Sequence, residues 1–424
     1  MTHLILRSLS AAAFLALAVA SHAAVPLPAL KVDPSQITVS GLSSGGFMAN
    51  QLGYAYTSTF KGVGVFAGGP YMCAGHSNYT ACMYNATVSA GMLNTMQADI
   101  NNWSGTANDN KALVAAQKIY LFVGTSDYTV GPNPMNAVQT QYTNNGVPAA
   151  NLEYVKRAST AHVFPTDFDS GGNNTCSSSA SPYISNCSYD GAKAAFTKFY
   201  GALAARNNAP AANNYIEFNQ SAFTGNPGMA ATGWVYVPAS CAAGTVCKLH
   251  VALHGCQQGF ATIGDKFIKN TGYTRWADTN HIIVLFPQAK VDSTSRATSA
   301  SGSLANPNGC WDWIGWYGSN FAQKTGTQMA AIKAMVDQLS SGGGGTPPDP
   351  DPNPPPPPPP PPPVPPRVCF TASNYAHTTA GRAHMSGGYA LANGSNQNMG
   401  LWNVFIITTL KQTAPNHYVT GTCP

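Results

Sequence analysis

Ser43 lies in Gly41-Leu42-Ser43-Ser44-Gly45-Gly46, directly behind the apolar run Ile37-Thr38-Val39-Ser40 and ahead of a helix-like segment. A G-x-S-x-G turn between strand and helix holds its central serine in a strained elbow. The residues two positions to either side must be tiny, because they meet the neighbouring backbone. Ser43 satisfies this with Gly41 and Gly45, whereas Ser44 has Leu42 and Gly46 at those positions and stays as the alternative nucleophile. A serine nucleophile needs a base and a group to orient that base. In this class of hydrolase the chain order is serine, acid, histidine. Asp127 follows the apolar run Lys118–Gly124 in Thr125-Ser126-Asp127. His162 follows Leu152-Glu153-Tyr154-Val155, in Ala161-His162-Val163-Phe164-Pro165. The order and the strand-end positions suit a triad of Ser43, Asp127 and His162. A turn-capping Asp127 and a surface-loop His162 are the rival readings.

Acyl transfer also needs two amide donors for the developing oxyanion. The Ser44 amide, next to the nucleophile, is one. The second normally comes from a His-Gly loop that precedes the nucleophile. Here the His-Gly loop comes far downstream, in Leu253-His254-Gly255-Cys256-Gln257-Gln258. Moving the segment from about 230 to 340 in front of residue 37 would restore the usual order, so a circularly permuted sheet is expected, with the Cys256 amide as second donor. His254 as a mere turn cap is the other reading. Trp311, Trp313, Trp316 and Tyr317 crowd the stretch after Cys310. The cluster is either core or a wall of the substrate cleft, and Trp311 and Trp313 are the expected substrate contacts. No metal or organic cofactor is required by this chemistry.

The elements that must position these groups alternate. Strand candidates are 37–40, 62–67, 118–123, 152–155, 233–237, 249–253 and 282–286, and helix candidates are 47–56, 92–101, 192–205, 273–280 and 328–339. Short apolar strands between helices indicate an α/β fold with a mostly parallel sheet, here an α/β-hydrolase sheet with helices on both faces. The first 23 residues carry one cation, an Ala/Leu-rich run and Ser21-His22-Ala23, the pattern of a secretory signal peptide. The catalytic domain is then expected over 24–340. Residues 341–367 form a linker, with four glycines and then 16 prolines between Pro347 and Pro366. Polyproline rise makes those 20 residues a spacer of roughly 60 Å. Residues 368–424 form a small β-rich module without Asp or Glu, with a strand expected at 404–409 and with Phe370, Tyr375, Tyr389, Trp402, Phe405 and Tyr418. These rings either fill its core or adhere to an insoluble substrate.

Only 9% of the 424 residues are charged and the net charge is +5, which leaves no basic stripe for nucleic acid. No apolar run besides the N-terminal one approaches membrane-spanning length. Ten cysteines in an exported chain read as disulfides, and no C-x-x-C pair suggests zinc. Sequence proximity pairs Cys73 with Cys82, Cys176 with Cys187, Cys241 with Cys247 and Cys369 with Cys423, leaving Cys256 with Cys310.

Together, Gly41–Gly46, Gly124-Thr-Ser-Asp127, His162-Val-Phe-Pro165-Thr, Leu253-His-Gly-Cys256-Gln-Gln and Gly309-Cys-Trp-Asp-Trp313 resemble the extracellular polyhydroxybutyrate depolymerases, in the class with an N-terminal lipase box and a downstream oxyanion loop. The resemblance covers most of 25–340. It implies a secreted serine esterase acting on an insoluble polyester, with Ser43, Asp127 and His162 as triad, Ser44 and Cys256 giving the oxyanion amides, and Trp313 lining the cleft. The last 57 residues resemble the short polymer-binding modules of such enzymes, framed by Cys369 and Cys423 and carrying Arg382. The linker departs from the family, in which threonine-rich or folded β linkers are common. A monomer is expected, with neither nucleic acid nor membrane as partner. A feruloyl or acetyl esterase of plant polysaccharide and a non-catalytic adhesion protein are the alternatives.

Overall fold

A computed structural model describes residues 24–300, 302–342 and 368–421. The expected signal peptide, nearly all of the linker and Cys423 lie outside the described residues. These fall into two compact units, 24–342 and 368–421.

The larger unit is built on eight strands: β1 (Val32–Leu42), β2 (Gly62–Phe66), β3 (Lys118–Gly124), β4 (Leu152–Arg157), β5 (Tyr215–Asn219), β6 (Thr232–Tyr236), β7 (Cys247–Leu253) and β8 (Ile282–Phe286). Their order across the sheet is β4-β3-β2-β1-β7-β8-β6-β5. All pairs from β4 to β8 are parallel, and β6 runs against both its neighbours. The central strands are apolar without alternation; every residue of Ile282–Phe286 and of Gly62–Phe66 is buried. Such runs belong to a sheet covered on both faces. β2 shows the two covers directly. A Cβ on Gly53, in helix α1 (Ser44–Ala55), would come within 2.7 Å of Val63, while Cβ atoms on Gly62 and Gly64 would meet Phe199 at 2.6 and 3.3 Å. Residues 62, 63 and 64 alternate sides of the pleat, so α1 and the helix bearing Phe199 lie on opposite faces.

Reading from β5 and counting β5–β8 as the first four strands, the order becomes 1-2-4-3-5-6-7-8. The chain thus traces one continuous sheet from an interior starting point. The strand of the nucleophile candidate, β1, takes the fifth place, and β7, which feeds the His-Gly loop, takes the third.

Among the elements the sequence misses, two flank the main sheet. β5 is an edge strand with only Phe218 fully buried, so it shows no apolar run. The helix Pro132–Asn144 has polar residues at most positions and buries Met135, Val138 and Tyr142 on one side, with proline in its first turn. Conversely, the helix expected to reach residue 205 spans Gly191–Tyr200. Asp190 caps it by accepting from the Lys193 amide at 2.8 Å, and Gly201 at φ 83° ends it.

In the smaller unit two three-stranded antiparallel sheets, Cys369–Ser373/Ile407–Ala414/His417–Thr420 and Ala383–Ser386/Tyr389–Ala392/Asn398–Leu401, pack around a core of Ala383, Ala390, Ala392, Met399, Leu410 and Tyr418. Buried Asn374 ties them together: its amide donates to the carbonyls of Met399 and Leu401, and it accepts from Thr408 Oγ1. The strand expected at 404–409 starts at Ile407 instead. Asn403 Oδ1 accepts from the amides of Phe405 and Ile406 at 2.8 and 2.9 Å, an Asx turn that competes with strand pairing.

Four of the five expected disulfides are formed among the described residues: Cys73–Cys82, Cys176–Cys187, Cys241–Cys247 and Cys256–Cys310. No described helix is long and apolar enough to cross a membrane.

Leu285, fully buried in β8, tests the two-sided core. Leu285→Ala in the full chain is expected to destabilise the larger unit by about 2–5 kcal/mol, read as a lower urea midpoint by tryptophan fluorescence.

Candidate active site

Four loops at the carboxyl ends of parallel strands converge, the position where open α/β sheets place ligands. Ser43 joins β1 to α1 with φ 58° and ψ −122°, a conformation strained for a residue with a side chain. The turn is fixed from both sides, as the Ser43 amide donates to the Phe66 carbonyl and its carbonyl accepts from the Phe47 amide, each at 2.9 Å. The flanking glycines are obligatory here. A Cβ at Gly41 would fall 2.3 Å from the Gly45 carbonyl oxygen, and one at Gly45 would fall 2.3 Å from that of Leu253.

Asp127 Oδ2 and His162 Nδ1 are 2.8 Å apart and both are buried. Asp127 Oδ1 accepts from the amides of Thr129 and Val130 at 2.8 and 3.0 Å. Burial works to raise the Asp127 pKa, but the His162 imidazole and those two amides outweigh it and hold the carboxyl below the ordinary carboxylate range. The His162 loop is braced by the segment that Cys176–Cys187 closes. The His162 amide donates to Ser179 Oγ at 3.0 Å, and the Ala161 amide to the Cys176 carbonyl at 2.9 Å. Ser43 and His162 line one cleft of about 390 Å³.

The downstream His-Gly loop reaches the same place. A Cβ at Gly255 would stand 3.2 Å from Ser43 Cβ. The amides of Ser44 and Cys256 donate to no acceptor among the described residues. His254 is buried. Its Nδ1 lies 2.7 Å from the Gly255 carbonyl and its Nε2 accepts from the Ala289 amide at 3.1 Å, so the proton belongs on Nδ1. Cys256–Cys310 fastens the tryptophan segment to this loop.

The structure separates the two tryptophans expected in the cleft. Trp313 lines it, stacked on Phe47 with centroids 4.2 Å apart. Trp311 does not line the cleft. It is fully buried, with Nε1 donating to the His254 carbonyl at 3.0 Å and its amide to Ser44 Oγ at 3.3 Å, which makes it a prop behind the His-Gly loop. In an extended strand positions 311 and 313 would share a face, but the chain bends at Asp312–Ile314, and only Trp313 is left facing the cleft.

Two residues escape the sequence reading although their motifs contain them. Gln258 Oε1 accepts from the Gly255 amide at 2.7 Å and its Nε2 donates to the Pro182 carbonyl at 2.8 Å, bridging the His-Gly loop to the segment that braces His162. Asp312, buried between Trp311 and Trp313, accepts from the amides of Gly315, Trp316 and Tyr317. Burial pushes its pKa up to about 6 despite those amides. Glutamine and aspartate are ordinary surface residues, and their value here appears only in the hydrogen-bonding geometry.

Among the described residues no group of three His, Cys, Asp or Glu side chains could hold a metal ion.

With the elbow on the fifth strand of the renumbered sheet, Asp127 after the seventh, His162 after the eighth and the His-Gly loop after the third, the chain is an α/β-hydrolase whose sheet is circularly permuted. Searches with known proteins place it more narrowly. It is 52% identical over 337 residues to a polyhydroxybutyrate depolymerase of Talaromyces funiculosus, covering 79% of this chain and 98% of that one. It is 43% identical to a poly(3-hydroxybutyrate) depolymerase of Delftia acidovorans over 95% of each. The crystal structure of PHB depolymerase from Penicillium funiculosum matches 75% of this chain and all of its own at 53% identity, with a TM-score of 0.73. A serine-to-alanine form of a PHB depolymerase complexed with an R3HB trimer matches equally well, at 52% identity and TM-score 0.73. No protein-family model matches the chain. The chain belongs to the polyhydroxybutyrate depolymerases.

The buried histidines give the fold a pH dependence. Burial pushes His250 down to about 3 and His254 down to about 4. Both ionise near 6.5 in the unfolded chain, so the unfolded state takes up protons first. Their stabilising contribution is complete above pH 6.5 and is lost as pH falls through about 4. Asp127 acts in the same direction at lower pH, while Asp312, with its raised pKa, partly offsets the loss between about 6 and 3.8. The urea midpoint is expected to be lower at pH 4.5 than at pH 7.5; a higher midpoint at pH 4.5 contradicts the burial of the two imidazoles as neutral groups.

Proposed function

We propose that this chain is a secreted serine esterase that hydrolyses poly(3-hydroxybutyrate) and related short-chain polyhydroxyalkanoates through an acyl-enzyme. The observation that carries this is the Asp127–His162 pair sharing a cleft with Ser43, beside the Gly255-Cys256 loop. His162 takes the Ser43 proton as Ser43 Oγ attacks an ester carbonyl, and Asp127 holds the imidazole with its proton on Nδ1. The amides of Ser44 and Cys256 stabilise the oxyanion, each worth about 3–4 kcal/mol in such sites. His162 then protonates the leaving hydroxyl, and water, deprotonated by the same imidazole, releases the acyl group. Export is supported by the N-terminal pattern and by the four disulfides.

The smaller unit suits adhesion. Leu401, Trp402, Val404, Phe405 and Ile407 are exposed within seven residues, Phe405 at 86%. An apolar surface this concentrated marks a binding face, and the module has no carboxylate to hydrate it. Of the aromatic rings, Tyr418 goes to the core, whereas Tyr375, Tyr389, Trp402 and Phe405 are exposed.

Ser43→Ala is expected to reduce clearing of a polyhydroxybutyrate suspension by at least about 10³-fold while leaving adsorption to the polymer intact. Retained clearing in Ser43→Ala with loss in Ser44→Ala would move the nucleophile by one residue. Wild-type release from esterified xylan with none from polyhydroxybutyrate would favour the polysaccharide esterase. Phe405→Ser with Ile407→Ser is expected to weaken adsorption to polymer film several-fold and to leave cleavage of a soluble ester unchanged, measured by depletion from the supernatant.

A further inference from the structure

On the esterase reading above, two groups must keep a fixed separation: the His162 imidazole, which moves the proton, and the Cys256 amide, which meets the oxyanion. His162 follows β4 and Cys256 follows β7, strands on opposite sides of β1, so strand pairing alone does not tie their loops together. We propose that Gln258 is the positioning residue that sets this separation, one side chain holding both loops; the inference rests on that reading.

Gln258 lines the cleft and is only 1% exposed. Both ends of its amide are spent on backbone groups. Oε1 accepts from the Gly255 amide at 2.7 Å, and Nε2 donates to the carbonyls of Pro182 and Tyr183 at 2.8 and 3.3 Å. On the His-Gly side, the Gln258 backbone amide also donates to the Gly255 carbonyl at 3.2 Å, and His254 Nδ1 meets the same carbonyl at 2.7 Å. That carbonyl and the Cys256 N–H belong to one planar peptide group, so fixing the first fixes the direction of the second. On the histidine side, the Tyr183 carbonyl accepts from the Phe164 amide at 2.8 Å as well. Ser179 Oγ, in the same disulfide-closed segment, accepts from the His162 amide at 3.0 Å. Gln257 adds an outer link, its Oε1 accepting from Tyr183 OH at 2.9 Å.

The chemistry of the side chain makes the role separable from packing. A primary amide accepts with its oxygen and donates with its nitrogen. An apolar side chain of similar volume would fill the space and hold neither loop. A carboxylate could replace only the acceptor, whereas a neutral carboxylic acid replaces both, with its C=O toward Gly255 and its O–H toward Pro182. The titratable groups lining the cleft are His162, Tyr79, Tyr84 and Tyr183, with Asp127 paired to His162 and His254 to Gly255.

The test compares Gln258→Met and Gln258→Glu with wild type on p-nitrophenyl butyrate from pH 5.5 to 8, read at the isosbestic wavelength of nitrophenol. Gln258→Met is expected to lower kcat about 10²-fold, as a misplacement of about 1 Å does. Its KM should change less than about threefold, and the loss should be the same at every pH. Gln258→Glu is expected to recover as pH falls. Burial raises its carboxyl pKa above the ordinary value of about 4.3, so the neutral acid forms and restores both hydrogen bonds. The ratio of its kcat to that of wild type should rise at least about tenfold between pH 8 and pH 5.5. An effect of the new carboxylate on His162 alone would run the other way, because a nearby negative charge raises the imidazole pKa and removes more of the base at low pH. A Gln258→Glu ratio that stays flat or falls toward low pH would overturn the assignment, and so would wild-type kcat in Gln258→Met. The Gln258→Glu comparison stands by itself where Gln258→Met does not fold. A wild type inactive on the ester, or a Ser43→Ala variant as active as wild type, would instead overturn the esterase reading.

Discussion

No Cβ fits between Gly45 and the carbonyl of Leu253, where it would lie at 2.3 Å. That close approach joins the first turn of α1 to the end of β7, and the rest of the site depends on it. It brings the start of the His-Gly loop against the elbow, so that Gly255 comes to rest beside Ser43. The elbow and the Gly255-Cys256 loop meet there although 212 residues separate Ser44 from Cys256 in the chain. Strand pairing sets the distance: Gly41 is in register with Leu253 on one side and Val65 on the other. Permuting the chain leaves these contacts intact, because sheet register is a property of neighbouring strands and not of the order in which they are made. Loop closure over long segments costs only slowly increasing entropy, and Cys256–Cys310 adds a covalent link close to the point of convergence.

Behind the elbow, polar groups are buried and paired. Thr38 Oγ1 and Ser40 Oγ on β1 meet the two ring nitrogens of His250 on β7 at 2.7 and 2.8 Å, and Tyr200 and Tyr273 extend the chain of hydroxyls. This network crosses the β1–β7 pair and also ties it to the helices Gly191–Tyr200 and Tyr273–Thr279. A one-residue slip of β1 against β7 would strand four buried polar groups, a penalty far larger than one hydrogen bond is worth. The register that brings the elbow against the His-Gly loop is thus also the one that satisfies the interior. Burial keeps the histidine neutral, as it must be to accept from one hydroxyl while donating to the other.

Much of this was legible in the sequence, and the reasons differ by residue. The elbow is readable because its glycines are dictated by backbone contact, a constraint with few chemical solutions. Asp127 and His162 are readable because parallel strands are continuous apolar runs and their ends are easy to see. Permutation follows from one misplaced motif. The edge strand Tyr215–Asn219 and the helix Pro132–Asn144 carry little apolar signal, since each meets the core with a few side chains only. The opposite fates of Trp311 and Trp313 are set by which side of an irregular segment each occupies, and no period in the sequence reports that. Gln258 and Asp312 are invisible for a related reason, because what they do is satisfy backbone amides of loops whose course cannot be read beforehand. The strand expected at 404–409 illustrates the converse, where β-branched and aromatic residues mark a surface and Asn403 turns the chain away from the sheet.

The sparse charge of the protein has a physical consequence at its working surface. A polyester presents no ions and no donors, so charges on an enzyme that must touch it would be desolvated without compensation. The adhesion proposed for the smaller unit fits this constraint, since Leu401, Val404, Phe405 and Ile407 are exposed and the module has no Asp or Glu. Its core is small and rich in alanine, and such a module cannot bury its large apolar side chains as well as show them. Asn374 resolves the conflict by holding the two sheets together through three hydrogen bonds, so that cohesion comes from polar contacts and the large apolar groups are free to face outward. In the cleft the apolar groups instead wall a concave site, where Trp313, Ile314 and Trp316 line the same space as Ser43 and His162.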